Sequence, residues 1–158
     1  MKQLVNKEPE CTVGTDSKTV AATEHLCCFA CGQQNRNGLG LNFAPSPEGG
    51  VQAVFSCSSG YCGYDGILHG GVISTLLDAA MTNCLFAEGI VAVTVEIKVQ
   101  FRHPVILNLP VIVSACRERS FSVFHFTRAQ LLQNNKIVAH ATGRFVTRKK
   151  TPLVPPIE

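Results

Sequence analysis

An α+β architecture, a curved antiparallel β-sheet wrapped around one long central α-helix, is what this sequence predicts, and three observations predict it. The run from Gly66 to Ala87 carries a single formal charge, Asp78. Within it, apolar residues at 72, 73, 76, 77, 80, 81, 84 and 85 follow the helical period. Around it lie two short strand-like runs on the N-terminal side and four longer ones on the C-terminal side. A sheet built from those runs can enclose an almost wholly apolar helix, which needs cover on most of its surface.

Taken in order, residues 1–25 are polar and aperiodic and read as a flexible leader. Cys31 to Gly38 is turn-rich. Leu39-Gly40-Leu41-Asn42-Phe43 alternates as a strand does, Pro45 to Gly50 is a turn, and Val51 to Cys57 alternates again, predicting a hairpin. A loop rich in glycine and tyrosine spans Ser58 to Gly66. The helix is expected from about Gly70 to Phe86, with Glu88-Gly89 ending it. Strands are expected over Val91 to Phe101, Leu109 to Arg117, Phe121 to Leu132 and Lys136 to Thr147. Period-two alternation is clear from Val93 to Phe101, and Gln133-Asn134-Asn135-Lys136 is a hairpin turn. Residues 149–158, with three prolines in the last seven, read as a frayed tail.

Composition limits the function classes. The chain has 158 residues, one domain's length, with 46% apolar and 16% charged residues, enough for a generous core. A net charge of +3, with no arginine-rich arm, argues against nucleic acid. Residues 1–8 have no signal-like apolar run, and His69, Asp78, Asn83 and two glycines argue against a membrane span at Gly66 to Ala87. The expectation is a cytoplasmic protein with no membrane partner. Eight cysteines are then free thiols by default. Cys84 and Cys116 sit in apolar runs as core residues. His25, Cys27, Cys28 and Cys31 cluster, with Cys57 and Cys62 later. Cys28-x-x-Cys31 is half of a zinc-site pattern, but no second pair completes it, so the cluster reads as structural packing and no metal is expected.

The sequence is most informative at His69-Gly70-Gly71, a turn opening the apolar helix, with Asp78 further along it. Aspartate is a poor helix former, and a buried carboxylate is costly unless paired, hydrogen-bonded or shifted in pKa. The stretch from Gly63 to Asp78 resembles the signature of the hotdog acyl-CoA thioesterases of the phenylacetate-degradation type. Val93 to Pro104 resembles that family's second motif, and Cys28-Phe29-Ala30-Cys31-Gly32 with Asn37-Gly38-Leu39 resembles the opening of a subset of it. The resemblance runs from about residue 26 to 147 and implies a hotdog thioesterase domain over 26–148.

It also implies roles. Asp78 acts on the thioester as nucleophile or as base for water, the Gly70 amide polarises the carbonyl, and Thr94 helps hold the water. His69 orients the loop, and Gly71 and Gly63 lie against substrate. Gly63 departs from the pattern, since many members carry asparagine there. The coenzyme A is part of the substrate and no cofactor is implied. Arg102, Arg144, Arg148, Lys149 and Lys150 read as exposed strand-end charges.

The chemistry fits these residue types. Thioester hydrolysis needs an activated nucleophile and a donor for the developing oxyanion, and a free amide at a helix N-terminus supplies the donor. Burial in an apolar helix is expected to raise the Asp78 pKa. Gly70 and Asp78 are eight residues apart, about 12 Å along the helix axis. One thioester cannot touch both on the same chain, so two helices packed antiparallel across a two-fold axis are expected, in a homodimer or a dimer of dimers. Three other readings stay open: a hotdog 3-hydroxyacyl-thioester dehydratase, a non-catalytic acyl-CoA binding protein, and a small zinc module built on Cys28 and Cys31.

Overall fold

The computed structural model describes residues 24–148. Apart from Glu24 and His25, the expected leader and tail lie outside the described residues. A six-stranded antiparallel sheet encloses one helix, in the spatial order β1-β2-β4-β5-β6-β3. The strands are β1 (Ala44–Pro45), β2 (Val51–Ser56), β3 (Ala92–Phe101), β4 (Pro110–Phe121), β5 (Phe124–Gln133) and β6 (Lys136–Thr147). The helix, α1, spans Gly70–Ala87.

The expected run Leu39 to Phe43 differs from the structure in an instructive way. Its side chains alternate, with Leu39 and Leu41 buried and Gly40 and Asn42 exposed. Its amides, however, bond to a loop and not to the sheet: Leu39 N–H donates to Phe29 O at 2.8 Å and Leu41 N–H to Ala30 O at 3.0 Å. Sheet pairing on this side is confined to two residues of β1. The turn at Asn134-Asn135 is as expected; both residues have positive φ (51° and 60°), as a type I′ hairpin demands.

Helix α1 is long and apolar enough to cross a bilayer, but here it is the core element, two-thirds covered by the protein (67%). Leu76, Leu77, Ala80 and Met81 are fully buried, against inward residues such as Val113, Leu131 and Phe145. The helix forms in spite of Ser74 and Thr75 because their hydroxyls donate back to Gly70 O (3.0 Å) and Gly71 O (2.9 Å). Those two hydroxyls are thus spent on the helix's own carbonyls.

Strand β3 is a sheet edge of ten residues, whereas the opposite edge, β1, has two. It presents Val93 (43% exposed), Val95 (47%) and Phe101 (56%). A long edge with apolar side chains is a template for pairing with another chain.

Candidate active site

At the N-terminus of α1, His69 is the cap. Its Nδ1 accepts from Gly71 N–H at 2.9 Å, which fixes a neutral ring as the Nε2–H tautomer. Val72 and Ile73 N–H both donate to His69 O, at 3.0 and 3.1 Å. The Ile73 bond is the first regular helical one, and His69 N–H donates to Tyr61 O at 2.9 Å, so three of the four amides that a helix start leaves open are accounted for. The Gly70 N–H has no acceptor among the described residues. Gly71 is obligatory beneath this cap, since a Cβ there would lie 2.9 Å from His69 Nδ1. His69→Ala should therefore cost about 1 kcal/mol of stability, read as a lower denaturation midpoint with an unchanged slope.

Gly70 lines a cavity of about 340 Å³, together with Ile67, Leu68, Ile73 and the stretch Phe101 to Val105. Phe101 packs over Gly70, where an added Cβ would meet its ring at 3.6 Å. Gly63 lies behind the turn, with its missing Cβ 3.0 Å from His69 Cα. It thus lets the loop close on His69 and brings no side chain to the site.

Two turns along the helix, Asp78 meets the start of β3. Thr94 Oγ1–H donates to Asp78 Oδ1 at 2.9 Å. Strict alternation would place Thr94 on the outer face with Glu96 and Lys98. A bulge at Val95 breaks it: Thr94 pairs with the buried Phe145, and Glu96 pairs with Arg144. Two inward sets result, Ala92 and Thr94 before the bulge and Ile97 and Val99 after it. Bulges often re-aim a side chain beside a site. Burial raises the Asp78 pKa above its ordinary value, while the Thr94 hydroxyl and nearby His25 partly offset the rise.

His25 is the residue that sequence reasoning missed at this end of the site. Its ring packs edge-on against Phe86 at 4.7 Å, and burial lowers its pKa. Glu24, beside it, is tied to Arg148 at 2.5 Å. His25, Cys28 and Cys31 converge with ligand atoms within 4.8 Å of one another. Cys27, grouped with them by sequence, is exposed and directed at Gln34. Among the strand-end cations, Arg144 pairs with Glu96 (3.1 Å), while Arg102 bonds Gln100 and rims the cavity.

Comparison with known proteins bears on the fold. Residues 65–127, which hold His69, Gly70, Asp78 and Thr94, match the model of the thioesterase superfamily. That match covers less than half of the chain; what the solved structures show is the hotdog fold. The chain's fold is similar to that of Escherichia coli PaaI, from the phenylacetic acid degradation operon, with a TM-score of 0.74, 16% identity, and 87% of this chain and 97% of that one covered. A Streptococcus mutans protein bound to acetyl-CoA superposes with a TM-score of 0.64 at 18% identity, over 68% of this chain and 88% of that one. A further thioesterase superfamily protein gives 0.71 at 19% identity over 76% of this chain; the match spans 60% of that relative's length. Among curated proteins, no sequence matches this one.

Proposed function

We propose that the hotdog domain is an acyl-CoA thioesterase that hydrolyses an acyl or aryl-acyl thioester to a carboxylate and free coenzyme A. One observation carries the reading: a single helix holds an unclaimed amide at Gly70 and a half-buried carboxylate at Asp78, eight residues apart. The two are complementary halves of an acyl-transfer site, an oxyanion donor and a nucleophile or base. The acetyl-CoA bound to the S. mutans neighbour supports the substrate class.

The halves combine in a homodimer. Thr94 lies on β3, the long sheet edge, and holds Asp78 of α1 against it. Pairing that edge with a second copy about a two-fold axis sets the helices antiparallel and brings Asp78 of one chain towards Gly70 of the other. The thioester carbonyl then accepts from the Gly70 N–H while Asp78, oriented by Thr94, attacks it directly or through water.

The test is thiol release from a panel of aliphatic and phenylacetyl-type acyl-CoAs. Turnover on at least one is expected; tight binding without turnover would leave a binding protein. A dehydratase is the second reading, because His25 brings an imidazole beside Asp78. Its Nδ1 is already engaged by Cys31 Sγ at 3.6 Å, and an enoyl-CoA hydration assay on the same panel separates the two.

The pH dependence follows from the sign of the Asp78 shift. The acid must be ionised to act, so kcat/KM rises with pH, with its midpoint raised above the ordinary aspartate value by burial. Thr94→Ala removes the hydroxyl that stabilises the ionised form. The acid limb of the profile should then move to higher pH, with His25 as the facing titratable group in both proteins.

A further inference from the structure

We infer that His25, Cys28 and Cys31 form a zinc site, in which Nδ1 and two thiolates bind one Zn(II) and water completes the tetrahedron. The sequence offers Cys28-x-x-Cys31 with His25 and Cys27 close by; the fold selects His25 as the third donor and leaves Cys27 out. Zn(II) binds sulfur at about 2.3 Å and imidazole at about 2.05 Å, so a tetrahedral angle puts the two donors about 3.6 Å apart. The distance from Cys31 Sγ to His25 Nδ1 is 3.6 Å. All three donor atoms lie within 4.8 Å, close enough for side-chain rotation alone to close them on one ion.

Each sulfur has a hydrogen-bond donor from the fold beside it. Ala30 N–H points at Cys28 Sγ (3.4 Å), and Asn83 Nδ2–H, from the buried face of α1, points at Cys31 Sγ (3.5 Å). Such outer donors orient ligands and offset thiolate charge. The turn that presents the sulfurs is too tight for a side chain after it. A Cβ on Gly32 would stand 2.3 Å from Cys28 N and 2.6 Å from Leu26 O. Asn83 is itself fixed by a 2.9 Å bond to Ala79 O, so one donor is anchored to the core helix. An imidazole and two thiolates favour zinc over magnesium or calcium, which prefer oxygen. A bound ion would pin residues 25–41 to α1 next to Asp78, because Leu39 and Leu41 hang from the same loop.

This site is independent of the hydrolytic reading, and its test does not use activity. The full chain, purified under reducing conditions and dialysed, should hold one zinc per chain by elemental analysis. Replacing it with Co(II) should give the thiolate-to-metal charge-transfer absorption of two sulfur ligands. Cys28→Ser and Cys31→Ser should each reduce that band and release the metal; Cys62→Ser, at an exposed thiol elsewhere, should not. Wild-type protein that retains no stoichiometric zinc, and whose reduced thiols give no charge-transfer band with Co(II), would overturn the site without recourse to any variant.

Discussion

Asp78→Asn is expected to lower kcat/KM for acyl-CoA hydrolysis by about 10³-fold, the middle of the span a positioned general base supplies. Asparagine keeps the shape and can still accept the Thr94 hydrogen bond, so the fold and the oligomer should persist. The same variant should be more stable than wild type. The folded-state pKa of Asp78 is raised, so ionisation costs the folded state stability, and the cost grows as pH rises from the unfolded-state value through the folded one. At neutral pH the variant escapes that penalty and should melt at a higher temperature than wild type. Below the unfolded-state pKa of about 3.9 the two proteins should melt together. Thermal melts at neutral and acid pH, run beside the thiol assay, check both halves. A variant that lost activity and stability together would point to a structural role for the carboxylate.

Gly70→Pro is the second large effect. Proline has no N–H, and its ring suits the first residue of a helix, where it costs the helix nothing. The preceding His69 is extended (φ −63°, ψ 134°), the conformation that proline favours in its neighbour. The substitution therefore deletes the one unclaimed amide while leaving the His69 cap on Gly71 in place. A loss of about 10² to 10³ in kcat, with little change in Tm, is expected if that amide stabilises the oxyanion. Gly70→Ala is the matched control: its Cβ meets Phe101 at an ordinary 3.6 Å and the N–H remains, so most activity should survive.

Much of this was legible in the sequence, for identifiable reasons. Helix α1 was visible because its apolar period is long and uninterrupted, and the start of β6 because the Asn134-Asn135 turn precedes it. The His69 turn and Asp78 stood out as polar groups in an apolar run. Other features depend on contacts that no local pattern records. Alternation across Val93 to Phe101 hides the bulge at Val95, which turns Thr94 inward. Leu39 to Phe43 has a strand's pattern, yet it bonds to the loop at Phe29 and Ala30. His25 lies 53 positions before Asp78, and only the fold brings the two together.

The central claim is that each site takes Asp78 from one chain and Gly70 from the other, and mixed dimers test it most directly. Asp78→Asn and Gly70→Pro proteins, each nearly inactive alone, are unfolded together and refolded in equal amounts. In a heterodimer one site then keeps both intact groups and the other has neither. Activity should recover to about one quarter of wild type, since half of the random dimers are mixed and each has one working site. No recovery, with heterodimers present by mass, would contradict the shared site and return both groups to a single chain.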